Sequence, residues 1–219
     1  DGYTSGGRKT QVPDSISVNN NNARGKNSRR PDTPAGLKKK DMLGVPWRVA
    51  FALQDDGWYL RADVIWRKPN YMPVGHLYDR PQMDYEHVFM LTKNEYYDYN
   101  IESGYELKAD GTGTRQGRSI WDIPTDSRKT GHPAVMPLAL ADKCVRLSLK
   151  PQNGADDTDG NENNGFIVFD PFTGSGTTAV AALTNDADFI GTELSDDFIQ
   201  IAFHRILNDI GVNSEIMEA

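Results

Sequence analysis

The pattern of apolar and polar positions is most informative between residues 166 and 193. Residues 166–169 are four consecutive apolar side chains, which predicts a parallel strand covered on both faces, since a strand covered on one face would alternate. A glycine turn follows, then a helical stretch over 175–184 and a second short strand over 189–192. This order predicts a strand–helix–strand unit of an α/β protein.

The turn and the end of the second strand indicate a ligand site. Gly174 and Gly176 allow a sharp turn and the close approach of a ligand, towards which the following helix would direct its free N–H groups. Glu193 stands at the carboxyl end of the second strand, where a carboxylate can accept both hydroxyls of a ribose. The arrangement is typical of proteins that hold the adenosine part of a cofactor.

Three interpretations of this turn compete. A phosphate-binding loop needs a lysine after the second glycine, whereas Thr177 and Thr178 follow Gly176, which disfavours a nucleoside triphosphate. A nicotinamide or flavin site stays open, because the two glycines and Glu193 satisfy the loose dinucleotide pattern. A turn that holds no ligand stays open as well.

Elements outside this unit are also predicted. A helix over 42–54 should begin regularly, or kink, at Pro46. Strands over 59–66 and 87–92 should form an antiparallel sheet edge. Trp58, Tyr59 and Trp66 could stack on an extruded base, but the strand pattern favours core positions for them. The last helix should be capped by Ser195 and end before Gly211.

Charge is distributed unevenly along the 219 residues. The chain has 24 basic and 31 acidic residues, a net charge of −7. Residues 1–40 hold nine basic and three acidic residues, a balance of +6, which leaves −13 for the rest. Residues 1–36 are also poor in apolar side chains, which predicts a disordered basic loop that either contacts DNA phosphates or is simply solvated.

Cysteine and metal-ligand patterns narrow the chemistry. The single cysteine, Cys144, lies at helical spacing among apolar residues, which indicates a buried structural thiol. One cysteine excludes a disulfide framework and favours a cytoplasmic protein. The acidic loop over 151–164 lacks the glycine and glutamate of a calcium loop, so no metal site is predicted there.

Longer sequence motifs in the chain resemble those of a known family. Asp170-Pro-Phe-Thr-Gly-Ser-Gly-Thr-Thr178 and Phe189-Ile-Gly-Thr-Glu-Leu194 are similar to the cofactor motif of the S-adenosylmethionine-dependent DNA methyltransferases that modify exocyclic amino groups. Similar words occur at 37–53, 57–70, 86–93, 119–124 and 132–138, in the order of the permuted subgroup whose cofactor motif lies near the C-terminus. The resemblance implies a Rossmann-like α/β methyltransferase sheet with helices on both faces, incomplete because its N-terminal strands are missing.

The resemblance implies roles for individual residues. Asp170 and Thr177 would hold the methionine end of S-adenosylmethionine, and Glu193 would hold the ribose. The cofactor set implied by the motif is Asp170, Pro171, Phe172, Gly174, Gly176, Thr177, Glu193, His132, Pro133 and Ala134.

The amine-binding word of the family is not found in the chain. That word is Asp, Asn or Ser followed by Pro-Pro and an aromatic residue, and no Pro-Pro pair occurs here, so the catalytic residues stay unidentified. The resemblance would place the word upstream of Asp1, which suggests the C-terminal part of a longer enzyme that is inactive alone. The alternatives are an inert DNA-binding or cofactor-binding remnant and a dinucleotide-dependent oxidoreductase.

The implied partner is double-stranded DNA, with a cognate restriction endonuclease as a further expectation. Residues 94–118 would form a short target-recognition insert within a partial methyltransferase domain over 37–219. The DNA-contact set is Arg29, Arg30, Lys38, Lys39, Arg67, Lys68, Asn70 and Arg80.

Overall fold

The computed structural model describes residues 35–73, 79–126, 136–149 and 165–211. In these ranges the chain forms four α-helices, seven strands and one 3₁₀ turn. They are α1 (Val45–Asp55), β1 (Tyr59–Arg67), β2 (Tyr85–Thr92), the 3₁₀ turn (Glu102–Gly104), β3 (Glu106–Leu107), β4 (Thr114–Arg115), β5 (Ile120–Asp122), α2 (Leu138–Ser148), β6 (Ile167–Asp170), α3 (Thr177–Thr184), β7 (Asp188–Gly191) and α4 (Asp196–Ile210).

The chain divides into two compact units, residues 1–60 and 61–219. In the first unit, Gly44 has a φ of 64° and is the N-cap residue of helix α1. Pro46 lies in the first turn of this helix. The helix predicted over 42–54 is therefore confirmed, with Pro46 at its start. The predicted loop over 1–36 lies outside the described residues except for its last two.

In the second unit, one sheet has the strand order β2-β1-β5. β1 and β5 run parallel, with Trp66 opposite Trp121 and Arg67 opposite Asp122. Trp66 is 6% exposed, and its Nε1 donates to the carbonyl of Ile123 over 2.7 Å. The core role predicted for Trp66 is confirmed, because its ring is buried and its N–H has a partner. The same prediction is wrong for Tyr59, which is 45% exposed at the start of β1.

Helix α2 covers this sheet and joins it to the βαβ unit. Leu140 and Leu147 of α2 pack with Val64, Trp66 and Trp121. Another group of α2 side chains, Ala141 and Val145, packs against Ala181 of α3. The small residues Ala179, Ala181 and Ala182 are fully buried, so α2 and α3 can approach each other closely.

The βαβ unit predicted from the apolar pattern is present. β6 and β7 run parallel, with Val168 opposite Phe189, and α3 connects them. Only one face of β6 is covered: Val168 packs against the cluster of α2 and α3, whereas Ile167 and Phe169 are 58% and 59% exposed. The strand therefore departs from the predicted burial on both faces, because no helix in the described ranges packs on its second face.

Other predictions concern the insert over 94–118 and the acidic loop over 151–164. The insert predicted over 94–118 contains the 3₁₀ turn and the β3–β4 hairpin, and its recognition role stays a prediction. The acidic loop over 151–164 lies outside the described residues. Among the residues the structure describes, none of the helices has the length and apolar character of a membrane span, and no cluster of three metal-ligating side chains occurs.

Candidate ligand-binding cleft

The glycine turn after β6 is built by hydrogen bonds to the segment after β7. The N–H of Thr173 donates to the carbonyl of Thr192 over 3.0 Å, and the Thr192 hydroxyl donates to the carbonyl of Pro171 over 2.8 Å. Gly174 and Gly176 have φ values of 53° and 78°, which glycine adopts without strain. These hydrogen bonds connect the segments that follow the carboxyl ends of β6 and β7.

Gly176 also sets the distance between the turn and helix α4. A Cβ at this position would lie 3.1 Å from the Cβ and 3.2 Å from the Cα of Ala202. Gly176 is therefore required by its backbone conformation and by close packing. It is the N-cap residue of α3, whose first turn points at the cleft.

The carboxylate of Glu193 points at the glycine turn. Its Oε2 accepts the N–H of Gly174 over 2.9 Å, and its Oε1 accepts the N–H groups of Leu194 and Ser195 over 2.9 and 3.0 Å. These donors fix the side chain at the end of β7. Ser195 is the N-cap residue of α4, but the predicted cap from its side chain is absent. Its N–H donates to Glu193, and its carbonyl accepts the N–H of Ile199 over 3.0 Å.

A cleft of about 310 Å³ opens at the carboxyl ends of β6 and β7. This is where ligands bind in open α/β sheets. Its lining residues are Met136, Asp170, Phe172, Thr173, Gly174, Ser175, Thr177, Thr178, Glu193 and Phe198. Carboxylates, hydroxyls and helix N–H groups thus converge on a space with aromatic walls.

The structure brings five of the ten predicted cofactor residues to this cleft. Asp170, Phe172, Gly174, Thr177 and Glu193 line it. Asp170 accepts the N–H of Phe172 over 2.9 Å, and the Phe172 ring is 85% exposed. The other members of the set shape the turn or, for residues 132–134, lie outside the described residues.

Five lining residues were not predicted: Met136, Thr173, Ser175, Thr178 and Phe198. Three of them lie inside the motif word, so their sequence position was a usable signal. Met136 follows the His-Pro-Ala word closely, whereas Phe198 has only the apolar spacing of a helix.

The predicted DNA-contact residues at the ends of β1 and β2 are paired with other groups. Arg67 donates to both carboxylate oxygens of Asp122 over 2.5 and 2.6 Å, and these bonds hold the pKa of Asp122 below its usual range. Lys68 forms an ion pair with Glu86. Their contact with DNA stays a prediction.

The remaining members of the DNA-contact set are distributed differently. Asn70 exchanges two hydrogen bonds with the backbone of Thr125, and Arg80 lies 3.0 Å from Asp79. Lys38 and Lys39 are in the first unit, and Arg29 and Arg30 lie outside the described residues.

Cys144 is a structural thiol, as predicted. It packs against the cluster of Trp66 and Trp121, and burial raises the pKa of the thiol to about 11. A thiol with this pKa is protonated and a poor nucleophile at neutral pH.

Known proteins resemble the chain over most of its length. The sequence model of a family described as DNA methylase matches residues 8–204. Type II methyltransferase M.Cfr9I of Citrobacter freundii is 44% identical over 206 residues, which are 94% of this chain and 62% of that protein. Type II methyltransferase M.XycI of Xanthomonas campestris pv. cyanopsidis is 41% identical over 217 residues, 99% of this chain and 65% of that protein. The chain thus spans less than two thirds of these relatives.

The fold is also found among solved structures. The crystal structure of the M1.HpyAVI–SAM complex matches with a TM-score of 0.55 and 25% identity, over 75% of this chain and 70% of that chain. The α/β fold class predicted from the sequence is confirmed by this match and by the parallel βαβ unit. The chain therefore belongs to the DNA methylase family.

Proposed function

We propose that the chain binds S-adenosylmethionine in the cleft between β6 and β7 and forms the cofactor-binding part of a DNA methyltransferase. The acceptor would be an exocyclic amino group, either N4 of cytosine or N6 of adenine. The observation that carries the proposal is the Glu193 carboxylate, held against the N–H of Gly174 at the rim of the cleft. Support comes from relatives named type II methyltransferases and from a structural neighbour crystallised as a complex with SAM.

The residues of the cleft fit this cofactor. A volume of about 310 Å³ is at the lower end of the range of roughly 300–1,000 Å³ for small-molecule sites. Glu193 can accept the ribose hydroxyls, and Thr177, at the first turn of α3, can donate to the carboxylate of the methionine end. Asp170 can accept the methionine ammonium. Phe172, with Gly174 and Gly176, gives the cleft its shape.

In this proposal the chain positions the cofactor, and the cofactor supplies the group that is transferred. S-adenosylmethionine supplies an electrophilic methyl group when bound. The chain orients it by holding its two ends at opposite sides of the cleft, which is the positioning contribution to catalysis. The family resemblance also implies that residues 132–134, which lie outside the described residues, border the methionine end.

The amine-binding word that the family resemblance implies does not occur in this sequence. No Pro-Pro pair occurs among the 219 residues, so we propose that these residues bind the cofactor without methylating DNA by themselves. Duplex DNA is the proposed partner of the whole protein, with a restriction endonuclease as its proposed counterpart in the cell. An inert remnant that only binds cofactor or DNA is the second candidate, favoured by the same absence.

Calorimetry with S-adenosylhomocysteine and with NAD tests the cofactor assignment. We expect saturable one-to-one binding of S-adenosylhomocysteine and no heat with NAD. Binding of NAD alone would instead favour the oxidoreductase alternative.

Transfer of labelled methyl groups to duplex DNA tests the division of labour. We expect no transfer by these 219 residues and transfer by a longer protein that includes the Pro-Pro word. Nucleoside analysis of the product then distinguishes N4-methylcytosine from N6-methyladenine. Transfer by the 219 residues alone would show that the amine is held by residues other than that word.

A further inference from the structure

A buried arginine of helix α4 contacts the glycine turn from behind the cleft. The side chain of Arg205 is 9% exposed. Its Nη1 donates to the Thr177 hydroxyl over 2.7 Å and to the carbonyl and hydroxyl oxygens of Ser175 over 3.3 Å each. Its Nε lies 3.4 Å from a carboxylate oxygen of Asp209. The guanidinium therefore links its own helix to the turn that forms the cleft.

The direction of the hydrogen bond to Thr177 follows from the chemistry of the two groups. A guanidinium only donates, whereas a hydroxyl has one hydrogen and two lone pairs. Thr177 must accept from Arg205, so its own hydrogen points away from the guanidinium. Among the described residues, no acceptor takes this hydrogen, and Thr177 lines the cleft.

The charge of Arg205 is only partly balanced. Within the described part of the chain, its Nη2 is buried and has no hydrogen-bond partner. Buried polar groups are nearly always paired, and an exception calls for a physical explanation. Nη1 presents positive charge to the turn, while the contact to Asp209 is made through Nε.

We infer that Arg205 is a positioning residue that makes the Thr177 hydroxyl a donor towards the cleft and so favours an anionic group there. The inference rests on the proposed function, in which that group is the carboxylate of the methionine end. Arg205 does not line the cleft and acts through Thr177. A donor polarised by a neighbouring cation binds a carboxylate more strongly than a free hydroxyl does.

The test compares two ligands that differ in the methionine end. S-adenosylhomocysteine has the carboxylate, whereas 5′-methylthioadenosine has the same adenosine and thioether without it. For Arg205→Met, we expect the Kd of S-adenosylhomocysteine to rise about ten-fold, the scale of one hydrogen bond to a charged group. The Kd of 5′-methylthioadenosine should stay within about two-fold, because Glu193 and the adenosine contacts are unchanged.

Two further variants control this experiment. Arg146→Met removes an arginine that forms a similar ion pair, 3.4 Å from Asp142 four residues earlier on α2, and both ligands should bind it as they bind the original chain. Thr177→Val removes the hydroxyl with little change of shape and should weaken S-adenosylhomocysteine selectively. The double variant of Arg205 and Thr177 should be no weaker than Thr177→Val alone, since both changes remove one interaction.

Each outcome decides the inference. Equal weakening of both ligands in Arg205→Met would mean that the arginine only supports the fold of the turn, and would overturn it. If Arg205→Met does not fold, Arg205→Gln decides, because it keeps polar N–H donors and removes the charge: selective loss of S-adenosylhomocysteine supports the inference and equal loss overturns it. If the original chain binds neither ligand, the proposed function fails, and the inference falls with it.

Discussion

The glycine turn after β6 and the basic edge after β1 differ in the partners of their polar side chains. Here the basic edge means Arg67, Lys68, Asn70 and Arg80. Both regions follow the carboxyl end of a strand that has a parallel neighbour. In the glycine turn, side-chain groups are held by backbone N–H groups and line a cleft. At the basic edge, cations are paired with carboxylates on neighbouring segments.

The difference shows what a ligand site needs beyond the right residue types. The Glu193 carboxylate is fixed by three N–H groups and lines the cleft. The guanidinium of Arg67 is bound by both oxygens of Asp122, and both side chains are about half exposed. An exposed pair of this kind adds little to stability, so its main effect here is that Asp122 competes with a phosphate for Arg67.

The largest expected effect tests the rigidity of the glycine turn. Gly176→Ala places a Cβ at a φ of 78° and within 3.2 Å of Ala202. Left-handed strain of about 1–2 kcal/mol and overpacking of about 1–3 kcal/mol should lower the free energy of unfolding by roughly 2–5 kcal/mol. Urea denaturation measures this.

Gly211→Ala is the matched control for that substitution. Its φ is 73°, and nothing lies within 4 Å of an added Cβ. It should therefore lose only the strain contribution, about 1–2 kcal/mol. Equal losses in the two variants would show that the contact between Gly176 and Ala202 does not constrain the turn.

The next effect concerns the carboxylate at the end of β7. Glu193→Ala should weaken binding of S-adenosylmethionine by roughly 1.5–3 kcal/mol, the scale of hydrogen bonds to a charged group. Asp188→Ala removes a carboxylate from the opposite, exposed end of the same strand and should leave the affinity unchanged. Calorimetry on both variants checks this, and an unchanged affinity in Glu193→Ala would remove its proposed role.

A third effect tests the core beneath the basic edge. The unfolded thiol of Cys144 should lose its proton near about pH 8.5, whereas burial keeps it protonated up to a pKa of about 11. Between these values the native state binds more protons, so the free energy of unfolding should fall as pH rises, by at most about 1.4 kcal/mol per pH unit. Urea denaturation at pH 8, 9 and 10 measures the fall.

Cys144→Ala gives the matching baseline, since it has no thiol to titrate. Its free energy of unfolding should fall less steeply with pH than that of the original chain. Parallel curves for the two proteins would mean that the thiol is solvated and that the core around Trp66 and Trp121 is open.

The smallest effect concerns the basic edge itself. Asp122→Asn removes the carboxylate that binds Arg67 and leaves a neutral amide of similar shape. If the predicted phosphate contact is correct, the affinity for a duplex should rise by no more than a few-fold, because an exposed ion pair is weak. The slope of log K against log salt should also steepen by roughly 0.9. Unchanged affinity and slope would exclude Arg67 from the DNA contact set.

The two regions also differ in how well the sequence predicted them. The βαβ unit and Glu193 are local in sequence: the glycines fix the turn, and the carboxylate lies nineteen residues beyond Gly174 at a strand end. The pairing of Arg67 with Asp122 spans 55 residues and depends on strand register, which the apolar pattern does not encode. The contact between Arg205 and Thr177 spans 28 residues. The sequence around Arg205 indicated only an amphipathic helix, so the apolar pattern did not predict this contact either.

The exposed face of β6 was not predicted for a related reason. A run of apolar residues indicates that both faces of a strand are buried, but it does not indicate which segments pack on them. In the described ranges, Val168 meets α2 and α3, while Ile167 and Phe169 have no such partner.

A crystal structure of the chain with S-adenosylhomocysteine tests the central claim most directly. The account predicts that the ribose hydroxyls lie about 2.6–3.2 Å from the Glu193 carboxylate and that the methionine carboxylate lies near Thr177. A ligand bound outside the cleft, or a ribose turned away from Glu193, would contradict it.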